Sequence, residues 1–245
     1  AVPTSAGTGS EVSTIAVLSV GPGEKIVLIN NNLLPRVTLA DPELTLSLPR
    51  GLTAGTGMDA LSHCLEAYFS SNENPPAKAV ALDGITRIVA NIRTAYNEPQ
   101  NRQARWEMMM GALEGGMTML NGCGAMHALA HAIGGRHDLA LHHGTLNAMF
   151  LPAVVTFNAV AESVQKDRRM DRMAHAMGLK SGTDIAQAIR DMNARLGLPT
   201  GLAAMGVERS QFDDIIKGAM ADHCHKTNPR IATPEEYREM LEQSL

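Results

Sequence analysis

The stretch Gly57-Met58-Asp59-Ala60-Leu61-Ser62-His63 decides how this chain is read. Its four-residue spacing puts Asp59 and His63 on one face of a helix, where two side chains can grip one ion. Leu61, Leu65 and Tyr68 mark an apolar face of the same helix. From about Pro49 onward the same helical periodicity continues almost without a break. Val80, Ile85, Ile88, Val89 and Ile92 form one further apolar stripe, and Met108, Ala112, Gly115, Gly116 and Met119 form another, with small residues where a neighbour passes closely. Ile185, Ile189, Met192 and Leu196 end at Gly197 and Pro199, and Thr233-Pro234-Glu235-Glu236 carries the capping-box pattern of a last helix.

Upstream of Pro49 the pattern changes. Thr14 to Val20 and Lys25 to Ile29 are expected as strands around the turn Gly21-Pro22-Gly23, and Val37 to Ala40 as a third strand. The expected organisation is therefore multidomain α+β: residues 1–48 of strand and turn, then residues 49–245 as an all-helical domain. Three strands cannot make a complete nucleotide-binding sheet. They are either a small appendage to the helical domain or the end of an α/β domain that begins earlier.

Composition bounds the function. The chain has 245 residues, 44% of them hydrophobic, enough for a large core and too many for a disordered segment. Twenty-one basic against 25 acidic side chains, with no dense basic cluster, argue against nucleic acid as a partner. No apolar run reaches the roughly 18 to 20 residues that span a bilayer, so no membrane role is expected. Cys64, Cys123 and Cys224, odd in number and far apart, point to a reducing compartment, read here as cytoplasmic. Cys64 and Cys123 are expected as buried core thiols. Eight aromatic residues against 15 Met predict an aliphatic, plastic core.

The residues that could carry chemistry cluster. Six of nine His lie between Asp59 and His143, five of them between His127 and His143. His127 and His131 repeat the four-residue spacing, and His143 is expected near the start of the following helix, after a turn through Gly134 and Gly135. One Asp with three His suits a borderline divalent metal such as Fe²⁺ or Zn²⁺. The segment Pro3-Thr4-Ser5-Ala6-Gly7-Thr8-Gly9-Ser10-Glu11-Val12 could present backbone N–H groups to a phosphate, although it lacks the full dinucleotide fingerprint. His223-Cys224-His225 is read as structural, because adjacent helical residues point in different directions.

Together, Pro3 to Glu11, Gly57 to His63, His127-x-x-x-His131, His143-Gly-Thr-Leu-Asn-Ala-Met-Phe-Leu-Pro152 and Asn228-Pro-Arg230 resemble the iron-containing (group III) alcohol dehydrogenase family. That resemblance implies a dehydroquinate synthase-like fold and an oxidoreductase that interconverts an alcohol and an aldehyde or ketone with NAD or NADP. It implies Asp59, His63, His127 and His143 as ligands of Fe²⁺, or of Zn²⁺ or another divalent metal. His131 would face the substrate and nicotinamide as the proton-relay residue. Thr4, Ser5, Thr8 and Ser13 would contact the dinucleotide, Ile15 would line its pocket, and Lys25 would reach a cofactor ribose.

His127 and His143 stand sixteen residues apart, two more than the family's usual spacing, which keeps His142 and His137 as alternatives for the fourth ligand. The family's Gly-Gly-Gly-Ser phosphate loop has no counterpart here, and the chain opens Ala1-Val2-Pro3-Thr4 without Met. The resemblance thus makes residues 1–48 the remnant of an N-terminal α/β nucleotide-binding domain, followed by the metal-binding domain of a longer protein. A small alcohol or aldehyde is the expected substrate, and a homo-oligomer, a dimer, the expected full-length assembly. One rival is a metal-dependent lyase of dehydroquinate synthase type, which should show a Lys- and Arg-lined phosphate pocket. Another is a catalytically incompetent metal-binding fragment.

Overall fold

The computed structural model describes residues 1–21, 24–134 and 141–245, with backbone only at residues 19–21, 24 and 25. The expected turn residues Pro22, Gly23 and Gly135, and His137, lie outside them. Two strands, β1 (Ile15–Gly21) and β2 (Glu24–Ile29), pair antiparallel with Val17 opposite Val27. The third expected strand is not formed. Its backbone finds no ladder: Leu39 N–H and the Val37 carbonyl pair only with Ala1, at 3.0 and 2.7 Å. Both side chains stay exposed. The sheet is therefore a two-stranded hairpin.

From Arg50 onward the described residues are mostly α-helical, as the periodicity predicts. Ten α-helices follow among the described residues: α1 (Arg50–Phe69), α2 (Pro75–Asn97), α3 (Arg102–Thr118), α4 (Ala125–Gly134), α5 (His143–Asn158), α6 (Glu162–Lys166), α7 (Arg169–Ala176), α8 (Ile185–Arg195), α9 (Phe212–Ala221) and α10 (Pro234–Ser244). The predicted capping box opens α10: the Thr233 hydroxyl accepts from Glu236 N–H and the Glu236 carboxylate from Thr233 N–H.

Helix α1 lies at the centre, packed against α2, α3 and α5. From Met58 to Phe69 every residue is buried, so the helix has no solvent face on which a polar side chain could rest. Asp59, Ser62, His63 and Glu66 must therefore find partners inside the protein. At the far end of α1, the buried Arg169 guanidinium donates to the Phe69 and Ser70 carbonyls at 2.8 and 2.9 Å, satisfying acceptors the helix leaves open.

The α1–α5 crossing is close because Gly55 meets Gly144. A Cβ at 144 would collide with the Gly55 carbonyl oxygen. This backbone contact carries the first turn of α5 to within reach of Asp59. Helix α4 packs against α5 and α9, closing the third side.

Candidate metal centre and cofactor cleft

Three helices supply the polar cluster: Asp59 and His63 from α1, His127 and His131 from α4, and His143 from the first residue of α5. The Asp59 Oδ1 atom lies 3.9 Å from His63 Nε2 and 3.8 Å from His143 Nε2. One donor atom each from Asp59, His127 and His143 falls within 4.8 Å of the other two. The His63 and His127 rings stack at 4.6 Å between centroids, and the His127 and His143 rings lie 5.5 Å apart. Asp59, His127 and His143 thus form one compact group, and His63 stands beside it, 3.9 Å from Asp59 but outside that 4.8 Å set. His142, an alternative fourth ligand, is instead the N-cap of α5, its Nδ1 accepting from Thr145 N–H at 3.3 Å.

The electrostatics follow from burial and proximity. Burial alone would raise the Asp59 pKa, but His63, His143, His127 and the Asn147 amide outweigh it and hold the carboxyl below its ordinary range. Burial pushes His63 down, against the attraction of Asp59. A neutral His63 beside an ionised Asp59 is the protonation state that a divalent cation requires of those two ligands, whereas at His127 burial is outweighed by Cys123 and Glu66, which hold its ring well above the ordinary imidazole range.

Two residues that sequence reasoning missed order this cluster. Glu66, on the same face of α1 as Asp59 and His63, is fully buried. Its carboxylate accepts from Gly124 N–H at 2.7 Å and Met126 N–H at 2.8 Å, so it serves as the cap of α4. It also lies 2.6 Å from His127 Nδ1. A carboxylate already accepting two backbone N–H groups takes its third bond from an imidazole N–H. That bond fixes the His127 tautomer and turns Nε2 toward the cluster. Asn147, one turn beyond His143, donates from Nδ2 to Asp59 Oδ1 at 2.7 Å and lies 3.3 Å from His143 Nε2 and 3.4 Å from His127 Nε2.

His131 faces a different partner. Its Nδ1 is 2.9 Å from Asp222 Oδ2, and Asp222 Oδ1 accepts from Cys224 N–H at 2.8 Å. Burial opposes the Asp222 charge, but the bonds to His131 and Cys224 and the nearby His223 bring its pKa down to about 2. The His131 and His143 rings stack at 5.4 Å, so the Asp222-held ring sits directly beside the cluster.

A cavity of about 400 Å³ joins these groups to the N-terminal segment. His63, His127, His131 and His143 line one part, and Thr8, Ile15, Val17 and Val27 another. A neighbouring cleft of about 300 Å³, lined by Thr4, Ser5, Thr8 and Ser10 among others, shares Thr8 and Ser10 with it. Of the residues expected at a dinucleotide, Thr8 and Ile15 therefore line the cavity and Thr4, Ser5 and Thr8 the adjoining cleft. Ser13 is buried, its Oγ accepting from Ile15 N–H at 3.1 Å, and lines neither cleft. Lys25 stands in β2, with its side chain outside the description.

Cys64 is buried in the core as expected. Cys123 is not a core thiol: it is half-buried and lines the cavity beside Cys224. The Cys224 thiol bonds the Cys123 sulfur, which, with His127 and His63 near, holds Cys123 well below the ordinary thiol range despite burial. No Lys or Arg occurs among the described lining residues, so the basic pocket that the lyase reading requires is not formed by them.

The comparisons with known proteins agree on one family. The chain is 50% identical to the 4-hydroxybutyrate dehydrogenase of Cupriavidus necator, over all of this chain and 65% of that protein. It is 36% identical to the 1,3-propanediol dehydrogenase of Citrobacter freundii, over all of this chain and 64% of that one. The chain thus spans a little under two thirds of the length of these relatives. Among solved structures, that of a 1,3-propanediol oxidoreductase superposes with a TM-score of 0.92 at 35% identity, covering all of this chain and 65% of that one. The sulfoacetaldehyde reductase from Bifidobacterium kashiwanohense, solved in complex with NAD⁺, gives 0.89 at 28% identity, over 99% of this chain and 63% of its own. The C-terminal model of the Fe-containing alcohol dehydrogenase family matches residues 53–245, and the chain belongs to that family.

Proposed function

We propose that the protein carrying this chain oxidises short-chain alcohols to aldehydes, and reduces aldehydes in return, with a divalent metal and NAD or NADP. The observation that carries this reading is the grouping of Asp59, His127 and His143 within 4.8 Å, with His63 Nε2 3.9 Å from Asp59 Oδ1, beside a cavity shared with Thr8 and Ile15. The donor set fits Fe²⁺ or Zn²⁺: one hard oxygen and three imidazole nitrogens, with the His127 tautomer fixed by Glu66. We assign these four residues as ligands. When bound, the metal supplies Lewis-acid polarisation of the substrate oxygen and the nicotinamide supplies hydride exchange.

The chain's own residues do the rest. The apolar wall of Ile15, Val17 and Val27 offers a surface for a flat ring, and Thr4, Ser5 and Thr8 offer hydroxyls to the polar part of a dinucleotide. Residues 1–48 then act as the part of the cofactor-binding domain that touches the metal domain. His131 moves the proton. Its Nδ1–H is anchored on the Asp222 carboxylate, which leaves Nε2 to exchange a proton with the substrate hydroxyl or solvent. Asp222 orients the ring for that exchange.

A terminal alcohol is the proposed substrate class, with 4-hydroxybutyrate the first compound to assay because the 50%-identical relative is named for it. The test is reduction of NAD⁺ or NADP⁺ by 4-hydroxybutyrate and 1,3-propanediol, using protein loaded with iron(II) or zinc. Turnover that disappears in Asp59→Ala is expected. Absence of turnover in the loaded protein, or full turnover in Asp59→Ala, contradicts the reading.

A further inference from the structure

The triplet Asp222-His223-Cys224 does not behave as adjacent residues of an α-helix do. Asp222 caps the 3₁₀ turn His223–Thr227 with an extended backbone, φ −69° and ψ 145°, and its own Oδ1 accepts from Cys224 N–H. In this cap-and-turn geometry the three side chains converge on one another instead of fanning out. His223 Nδ1 lies 3.3 Å from Asp222 Oδ1, His223 Nε2 lies 3.3 Å from Cys224 Sγ, and His131 Nδ1 completes the group 2.9 Å from Asp222 Oδ2. One donor atom from each of the four is within 4.8 Å of one from every other.

We propose that His131, Asp222, His223 and Cys224 form a second cation site, selective for soft divalent ions of the zinc class. A tetrahedral zinc ion separates a nitrogen from a sulfur ligand by about 3.6 Å, close to the 3.3 Å between His223 Nε2 and Cys224 Sγ. The charges balance as well: one carboxylate and one thiolate neutralise a divalent ion, and the Cys224 thiol proton leaves to solvent as the ion enters. Thiolate and imidazole donors favour zinc-like ions over magnesium or calcium. Access is provided by the cavity, which His131, His223 and Cys224 all line, and the His223 side chain is 42% exposed.

None of the four residues is among Asp59, His63, His127 and His143, so the two sites draw on separate ligands. A soft ion held here would engage the His131 ring and stop turnover, a consequence that rests on the function proposed above, whereas the site itself does not.

The probe is cobalt(II), titrated under reducing, anaerobic conditions into metal-stripped protein. Two equivalents are expected, one of them giving a thiolate-to-cobalt charge-transfer band in the near ultraviolet. Cys224→Ser and the exposed-site variant His223→Ala should each remove that band and one equivalent. Asp59→Ala should remove the other equivalent and leave the band, and Cys123→Ser should leave it too. If only the Asp59 assignment is wrong, a single equivalent binds and carries the band. The second site is overturned by a wild-type protein without the band, or by a band that survives His223→Ala or Cys224→Ser, or that is lost in Cys123→Ser. His223→Ala decides the matter even if Cys224→Ser fails to fold.

Discussion

Glu66 is the residue on which the cluster's order depends. Buried, accepting from Gly124 and Met126 N–H and bonded to His127 Nδ1, it joins the cap of α4 to the tautomer of His127. Glu66→Gln keeps the shape but replaces one acceptor oxygen with an N–H₂ group, so a backbone donor or the imidazole loses its partner. Loss of such a partner typically costs about 10- to 100-fold in metal affinity, and equilibrium dialysis of the variant should show a weakening of that order. At His131, substitution by Ala should lower turnover, because the ring held by Asp222 is the proposed proton carrier. A pH–rate profile in which His131→Ala keeps wild-type turnover would remove it from the mechanism. The sequence carried part of this. Asp59, His63 and Glu66 share a helical face by spacing alone, but the partner of Glu66 lies 58 residues away in a turn that no local pattern announces. Asp222 gave no signal, because its role depends on α4 passing the turn that follows α9.

Helix packing positions those residues, and two contacts control it. Gly144 lets α5 touch α1 at the Gly55 carbonyl, one helical turn from Asp59. Gly144→Ala must push the helices apart, at a cost of about 1–3 kcal/mol, seen as a lower unfolding midpoint together with weaker metal binding. Between α2 and α3, the Arg87 guanidinium meets three carboxylates, Asp83, Glu107 and Glu114. Burial, reinforced by Asp83, raises the Glu114 pKa to about 7. The folded protein therefore holds a proton that the unfolded chain releases near the ordinary value of 4.5. Its contribution to stability is complete below that value and is lost as pH rises through about 7. Relative to Glu114→Gln, the wild type should lose stability between pH 5 and 8 in denaturant titrations; parallel curves would contradict the assignment. Helices were the legible elements, because long apolar stripes persist whatever they pack against. Val37 to Ala40 misled for the converse reason: alternating β-branched and apolar residues describe a strand only where a second strand is there to pair with it.

At the scale of the molecule, a helical body with α1 at its centre carries the metal cluster, and a two-stranded hairpin overlooks it across the cavity. The helical body was readable from Pro49 onward. What residues 1–48 do was not, since a hairpin with Leu18, Ile26 and Leu28 exposed on one face draws its order from neighbours and not from its own pattern. Everything proposed for the whole protein depends on whether the four side chains gathered from α1, α4 and α5 hold one ion. Crystals grown with iron(II) or zinc and measured at that metal's absorption edge test this most directly. The account predicts an anomalous peak within coordination distance of Asp59, His63, His127 and His143 that disappears in Asp59→Ala. No peak at that position, or an undiminished one in Asp59→Ala, would contradict it.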